Sequence, residues 1–273
     1  SGQFRRIENF GFYTDREAYA NQYNAQLVNY VPGLTKQQDY GLMNIYVYQA
    51  QPNLIIEQGK SGEIGAQFDM YYKFNKDSFL GKYRTKLALN YSNWSQLEAT
   101  YDVADNSYES ETFGRGDLLY QDFNFEVRNR WSKSWSSIVS FMNQYYNKGE
   151  LEGGEAQIND QVLVMEATKK MAKRRSIKFD LQHLWTQDDL KNWVGFSAEY
   201  YMNGNWSVFA RDLYNYGDED QNHYFNTGVT YNKKATRLMA SYGRQRGGLL
   251  CIGGVCRYVP ENYGVSIGLT TSF

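Results

Sequence analysis

The feature that most constrains this fold is a two-residue alternation of apolar and polar side chains that ends on an aromatic residue. In residues 263–273, the positions of one parity carry Tyr263, Val265, Ile267, Leu269, Thr271 and Phe273. The positions between them carry only glycine, serine and threonine. Because successive side chains of a β-strand point to opposite faces, this segment is predicted to be a strand with one apolar face and one small, polar face.

The same alternation recurs upstream and predicts about 12–14 strands of roughly ten residues, the length that a tilted strand needs to cross a bilayer. The clearest segments are residues 66–74, 83–91, 122–131, 177–182 and 224–231. Less regular candidates are Trp135–Tyr146, Val162–Lys169, Trp193–Tyr201, Trp206–Tyr214 and Thr236–Arg246, and the weakest is Tyr40–Ala50.

The predicted connections alternate in length. Short ones are expected at 132–134, 171–175, 202–205 and 233–235, and long ones at 93–116, 147–160, 186–192, 215–222 and 247–261. Outer-membrane barrels have short periplasmic turns and longer extracellular loops, whereas a soluble β-sandwich has no reason to keep this parity. We therefore expect an all-β fold, a transmembrane antiparallel up-and-down β-barrel of the outer-membrane type over residues 39–273.

Composition agrees with this fold class. Aromatic residues make up 17% of the chain, yet its mean hydropathy is −0.68, and no run of 18 apolar residues exists. Many aromatics in a polar chain are typical of a barrel with a lipid-facing outer band and a polar interior. The 29 basic and 30 acidic residues form no basic tract, so nucleic acid is not an expected partner.

The N-terminal residues 1–38 alternate poorly. If Gln26–Tyr30 were a strand, the strand number would be odd, whereas single-chain bacterial barrels have even numbers. We expect this segment to be a plug or loop, or the boundary of a longer barrel with further strands upstream, and we favour the longer barrel.

Two cysteines, Cys251 and Cys256, flank Gly253-Gly254 in the last long connection. In an oxidising compartment they are expected to form a disulfide, because the glycines supply a turn that brings the sulfurs together. Free thiols are the alternative. A metal site is disfavoured, since zinc needs four ligands and only His183 and His223 are available elsewhere.

Charged side chains fall on the polar parity of the strands and are expected to face the barrel interior, because charge on the lipid face is costly. The candidates are Arg84, Lys86, Asp122, Glu126, Arg128, Arg130, Lys178, Asp180, Glu199, Arg211 and Arg237. Mixed signs fit either a water-filled pore of little selectivity or a salt-bridged lattice that closes the barrel or holds a plug.

No catalytic site, metal or cofactor is predicted. The acidic run Asp218–Asp220 lacks the glycine that a calcium loop of the EF-hand type requires, so a solvated loop is the simpler interpretation. His183 is expected in an interfacial aromatic girdle, and a barrel-protease pair of Asp212 with His223 is kept as a minor alternative.

The stretch from Gly243 through the cysteine loop to Pro260 and on to Phe273 resembles an uncharacterised family of Bacteroidota outer-membrane barrels, as do Leu181–Thr186 and Asp212–Gly217. The resemblance covers the chain from about residue 40 onward. It implies the outer membrane as location, a barrel fold and the cysteine-bearing loop. The family members are longer than this chain, and the family has no established activity to carry over.

These observations lead to two expectations of function. The first is a non-enzymatic barrel that conducts or exchanges small solutes. The second is a scaffold that binds surface lipoproteins, other outer-membrane proteins or an export machine through its long loops. In either case the partners are outer-membrane lipid and, because a terminal aromatic on the alternating face resembles its recognition signal, the barrel assembly machinery during biogenesis.

Overall fold

A computed structural model describes residues 1–10, 12–13, 27–28, 31–153, 155–171, 174–252 and 255–272, with the backbone alone for 12–13, 27–28 and 249–258. The described chain is almost entirely β-structure with little helix. None of the described helices is long and apolar enough to cross a membrane.

The strands follow the alternation that the sequence predicts. They are β1 Gly2–Glu8, β2 Phe12–Tyr13, β3 Leu27–Val28, β4 Gly62–Lys73, β5 Lys86–Asp102, β6 Ser107–Asn129, β7 Trp135–Asn147, β8 Gln157–Lys170, β9 Ser176–Trp185, β10 Trp193–Tyr201, β11 Trp206–Asn215, β12 His223–Lys233, β13 Thr236–Gln245, β14 Gly248–Ile252, β15 Val255–Val259 and β16 Asn262–Thr271. The short helices are 3-10 turns at Leu42–Asn44, Ile56–Gln58 and Gly81–Tyr83 and one α-helix, α1, at Lys148–Glu152.

Twelve strands form one antiparallel sheet in the order β1-β4-β5-β6-β7-β8-β9-β10-β11-β12-β13-β16. From β4 onward each strand pairs with the next main-sheet strand in sequence, which is the up-and-down connectivity expected. Two small hairpins, β14–β15 and β2–β3, stand outside this sheet. The predicted all-β, antiparallel, up-and-down architecture of about twelve strands is confirmed.

The sheet has two faces of opposite character. We call residues 31–61 the insert. The insert packs on one face of the sheet, which we call the inner face. The opposite face is the outer face. The inner face carries buried polar residues such as Asn90, Asp122 and Gln182, whereas the outer face carries exposed apolar residues such as Ile267 and Leu269. The alternation therefore assigns each parity to the correct face.

The predicted long loop at 93–116 is wrong. Strands β5 and β6 continue through this range and pair up to Asp102 opposite Ser107, with only residues 103–106 as the turn. Register shifts at Trp94/Ser95, Ser95/Leu97 and Leu97/Ala99 interrupt the pairing. Each β-bulge breaks the two-residue period, which is why the alternation is lost in the sequence.

The predicted strand at Tyr40–Ala50 is also wrong. This stretch contains the 3-10 turn Leu42–Asn44 and otherwise no strand or helix, and it lies within the insert. The expected division into residues 1–38 and 39–273 stays a prediction. Strand β1 is part of the main sheet, and the insert runs continuously across residue 38.

The expected closure into a barrel is not present among the described residues. Strand β1 pairs only with β4 and β16 pairs only with β13, so the two end strands are not hydrogen-bonded to each other. Each end strand therefore keeps one edge of backbone donors and acceptors outside the sheet.

Candidate functional site

The insert lies on the inner face and is held there by side chains of the strands. Its contacts follow the chain across the sheet from β5 to β9. On β5 and β6, Trp94 Nε1 donates to the Leu34 carbonyl at 3.0 Å, and Asn124 accepts from Gln38 at 2.5 Å. On β8 and β9, Glu166 accepts from Tyr40 at 3.0 Å, and Gln182 accepts from the Leu42 amide at 2.9 Å. On β7, Gln144 donates to the Tyr46 carbonyl at 2.6 Å. Polar inner-face residues thus satisfy backbone groups of a segment that has almost no secondary structure of its own.

Apolar side chains of the insert fill the space between these hydrogen bonds. Leu42 is completely buried, and Tyr48 stacks on Tyr120 with ring centroids 5.0 Å apart. Tyr46 packs on Tyr146 at 5.7 Å. Aromatic pairs of this geometry add to the stabilisation from burial alone. The insert is therefore part of the hydrophobic core of the protein.

Glu63, at the start of β4, anchors one end of the insert. Its carboxylate is fully buried and accepts hydrogen bonds from Arg5, from the Tyr48 hydroxyl and, at 2.6 Å, from the Gln51 amide. Burial and then the charge of Glu63 raise the pKa of Tyr48 well above its ordinary value. Tyr48 therefore remains a hydrogen-bond donor at every physiological pH.

Two cavities flank the insert, and both touch Tyr40. The smaller, of about 340 Å³, lies over β4–β6 and includes Lys36, Asp69 and Arg128 in its lining. The larger, of about 620 Å³, lies between the insert and β9–β13 and includes Arg211 and Arg246. Cavities of this size are typical of small-molecule sites in proteins.

The inner face carries most of the charged residues that the sequence singles out. Their register in the strands places Lys86, Asp122, Glu126, Arg128, Lys178, Asp180, Glu199, Arg211 and Arg237 on this face. Several form local pairs: Arg128 with Glu126, and Lys178 with Glu166 at 2.8 Å. The expectation of a continuous strand around Arg84 is wrong, because Arg84 ends the 3-10 turn with φ of 52° before β5 begins, and Arg130 lies just after β6.

The sequence did not single out several residues that matter most here. Glu63, Glu166 and Gln182 hold the insert, yet nothing local separates them from other polar residues of the inner parity. Arg246 follows β13 and lines the larger cavity. Only the alternation signal identifies Glu166 and Gln182 as inward-facing, and no signal indicates that a distant segment contacts them.

Both histidines lie at outer-face positions near the long-connection edge. His223 Nδ1 is 2.6 Å from Asp212 Oδ2, and its ring stacks on Tyr214 with centroids 4.0 Å apart. His183 Nε2 is 2.8 Å from the Tyr216 hydroxyl. The Asp212–His223 pair of the barrel-protease alternative is thus formed, and in the part of the chain described no serine, threonine or cysteine is hydrogen-bonded to either ring. Likewise, the described residues hold no cluster of His, Cys, Asp or Glu suited to a metal ion.

The cysteine hairpin is described by its backbone only. Strands β14 and β15 place Cys251 directly opposite Cys256. Opposed residues in an antiparallel pair have Cα atoms about 4.5–5.5 Å apart, within the range of disulfides. No disulfide is assigned, because both side chains lie outside the described atoms, so the disulfide stays a prediction. Phe273 of the expected assembly signal also lies outside the described residues, whereas Tyr263, Val265, Ile267, Leu269 and Thr271 occupy one parity of β16 as expected.

Comparison with known proteins finds one family. The DUF6029 family, described as a family of unknown function, matches residues 1–273. The chain belongs to the DUF6029 family. This agrees with the expectation of an uncharacterised family. No curated protein and no solved structure matches the chain.

Proposed function

We propose that this DUF6029 chain is an integral outer-membrane β-barrel without enzymatic activity that exchanges small solutes through an interior narrowed by the insert. The observation that carries the proposal is the polarity of the sheet. A soluble sheet covers its apolar face and leaves its polar face in water, whereas this sheet covers its polar face with its own insert and leaves its apolar face bare.

The bare outer face is both extensive and continuous. On β16 alone the exposed fractions are 74% for Val265, 75% for Ile267 and 68% for Leu269. Large apolar residues are similarly exposed on almost every strand: Phe68, Tyr91, Phe123, Val139, Met165, Leu181, Val194, Val208 and Leu238. Apolar patches of this extent mark a surface that meets lipid or protein.

Exposed aromatic residues border this surface at both edges. Trp131, Trp135 and Trp206 lie at the edge of the short turns, and Trp185 and Tyr263 lie at the opposite edge. Tryptophan and tyrosine concentrate at the two interfaces of a bilayer, because their rings are apolar with one polar atom. Two aromatic borders with apolar residues between them favour lipid over a protein partner.

The free edges support a closed barrel in the membrane. Unpaired backbone groups of β1 and β16 would be very costly in lipid, so a membrane-embedded sheet has to pair both edges. We propose that β1 and β16 join there, either directly or through further strands. By the loop rule, the edge with the short connections 130–134, 171–175, 202–205 and 234–235 faces the periplasm, although it also carries the longer connection 74–85 and the opposite edge carries the short turn 103–106.

The proposal is tested by producing the chain behind a secretion signal in a Gram-negative host with its own assembly machinery. We expect the protein in the outer-membrane fraction, resistant to alkaline extraction, and migrating faster on gels before boiling than after. Purified protein in planar bilayers should give small conductance steps. A periplasmic protein that stays soluble without detergent would contradict the membrane proposal, and absence of any conductance would contradict the solute exchange.

A scaffold is the second candidate, and the insert itself favours it. Its core contacts fill the inner face from β5 to β9, which leaves less room for a pore. The β5–β6 hairpin, with strands of 17 and 23 residues, also extends beyond its neighbours and offers a binding surface. A membrane-integrated protein without conductance that co-purifies with the same surface protein from native membranes would support this candidate.

A further inference from the structure

Arg211 occupies an unusual place on the inner face. It lies in β11 opposite Ser197 of β10 and Asn226 of β12, and it lines the larger cavity. Within the described part of the chain its guanidinium has neither an ion pair nor a hydrogen bond, although Arg128 on the same face pairs with Glu126. The Arg211 side chain is exposed and borders the cavity, so an anion that enters the cavity can reach its guanidinium.

The carboxylates around this cavity already have partners. Asp180 accepts hydrogen bonds from Ser197 and, at 2.6 Å, from Gln182. Glu199 accepts from Tyr201 at 2.7 Å and from Ser207 at 2.9 Å. Both carboxylates keep their charge, because these donors are neutral, but neither forms an ion pair with Arg211.

The remaining acid of the lining, Asp39, lies where the two cavities meet. It lines both of them and interacts electrostatically with Arg128, on the side away from β11. Lys178, which also lines the larger cavity, is paired with Glu166. Lys178 thus has a carboxylate partner, whereas Arg211 forms no ion pair with any described carboxylate.

Arg246 supplies a second guanidinium that forms no ion pair with a carboxylate of the described residues. It donates one hydrogen bond, at 3.3 Å, to the Ile45 carbonyl of the insert. Burial lowers the pKa of Arg246, which indicates a poorly hydrated cation. Its neighbour Arg244 differs, since it pairs with Glu261 at 2.7 Å and lies over the Tyr224 ring.

Small residues leave room beside these two cations. In the row of Arg211 the inner-face positions of β12, β13 and β16 are Asn226, Gly243 and Gly264, and in the adjacent row they are Gly228, Ser241 and Ser266. On the insert side the cavity is bounded by Gly41 and Asn44. The space of about 620 Å³ also has larger lining side chains, among them Tyr40, Leu213 and Tyr224.

We propose that this cavity is a binding site for a small anionic solute that carries a carboxylate or phosphate group. Arg211 and Arg246 bind the anion with charge-assisted hydrogen bonds, and the edge of the Tyr224 ring, over whose face Arg244 lies, contacts the rest of the molecule. The inference rests on the proposed function, because it names the class of solute that the barrel would exchange. Binding of that solute can be measured separately from its transport.

The test is calorimetric titration of the purified full chain in a zwitterionic detergent. The probes are glucose 6-phosphate, glucuronate and glucose, which share a ring and differ in charge. Both anions should bind and glucose should not. Arg211→Gln should weaken binding of the anions by about tenfold or more, and Arg211→Lys should recover part of it.

The matched control is Arg237→Gln, which removes an inner-face arginine that does not line this cavity. It should leave the affinity unchanged, and gel mobility before and after boiling verifies that each variant is folded. Equal binding of glucose, or equal losses in Arg211→Gln and Arg237→Gln, would overturn the site. Displacement of glucose 6-phosphate by phosphatidylglycerol bicelles would show that the site binds a lipid headgroup. That result would overturn the proposal of a soluble ligand.

The two proposals fail separately. Conductance together with absence of anion binding would remove the site and leave the solute-exchanging barrel. Specific anion binding together with zero conductance would keep the site and remove the exchange.

Discussion

Two buried carboxylates on the inner face, those of Glu63 and Asp160, differ in the number of hydrogen-bond partners that surround them. Glu63 is fully buried with three hydrogen-bond donors around it, among them the Arg5 guanidinium. Asp160 of β8 is only 2% exposed, and neither of its oxygens has a hydrogen-bond partner among the described atoms. Burial of a polar group is tolerated when it is paired and costly when it is not.

Replacement of each carboxylate by its amide should therefore act in opposite directions. Asp160→Asn removes an unpaired buried acid and is expected to leave the free energy of unfolding unchanged or to raise it. Glu63→Gln removes the partner of Arg5 and should lower the free energy of unfolding by about 1–3 kcal/mol. Urea unfolding in detergent micelles, followed by tryptophan fluorescence, measures both.

The pair provides its own control, because each substitution changes one carboxylate to an amide of the same size. Equal destabilisation by both would contradict the distinction. In that case the environment of Asp160 would contain a partner that its neighbours in the sheet do not reveal.

At the scale of elements, the insert is the part that decides what the interior does. The insert buries four large side chains against β5–β10, namely Tyr40, Leu42, Tyr46 and Tyr48. Its backbone receives hydrogen bonds from side chains of the inner face. A segment without regular structure keeps its place only while those side-chain contacts last. The insert is thus attached to the sheet by a discrete and removable set of contacts.

Replacement of residues 40–50 by a glycine-serine segment of equal length should release the insert while the sheet remains. The expected results are new protease cleavage within 40–50 and conductance several-fold above that of the unchanged chain, with gel mobility still dependent on boiling. A glycine-serine replacement of the surface connection 216–222, which makes no core contact with the insert, is the control.

Loss of the heat-dependent mobility in the 40–50 variant alone would show that the sheet cannot stand without its insert. That result would contradict release and make the insert an obligatory core segment. Unchanged conductance in a folded variant would favour the scaffold over solute exchange.

For the whole molecule, the inverted polarity of the sheet is the property that matters. The inner face is polar and covered, whereas the outer face is apolar and bare. This arrangement fits a sheet whose outer face contacts the hydrocarbon of a lipid bilayer. Adjacent residues of β16 belong to the two different environments, with Ile267 on the outer face and Ser266 on the inner face. One strand therefore offers a direct comparison of the two faces.

Ile267→Lys should destabilise the membrane-embedded fold by about 2–4 kcal/mol, since it places a charge near the middle of the lipid-facing band. Ser266→Lys should cost much less, because the lysine lies among small residues on the polar inner face. Refolding into lipid vesicles over a urea series, with heat-dependent gel mobility as the readout, measures the difference. Equal effects of the two lysines would contradict a lipid-facing outer surface.

Sequence alone determined the strands wherever the alternation is uninterrupted. The segment Trp193–Tyr201 is predicted and found with identical bounds, and the two faces of Tyr263–Thr271 are assigned correctly. This information is local, because a strand alternates with a period of two residues whatever it pairs with. Where β-bulges interrupt β5 and β6, or where Arg5 and Arg6 put consecutive charges into β1, the same rule misses strands.

Only the tertiary structure decided what lies on the inner face. Segment 40–50 carries buried residues at both odd and even positions, because it is enclosed in the core on the inner face of the sheet. Its sequence therefore resembles that of a weak strand, although no strand forms there. Its contacts join residues more than a hundred positions apart, such as Tyr40 with Glu166 and Leu42 with Gln182. Among the described residues Arg211 also has no ion pair, whereas Asp180 and Glu199 accept hydrogen bonds from neighbouring side chains. Alternation fixes the face of a side chain, but the chain's long-range packing fixes which groups meet there.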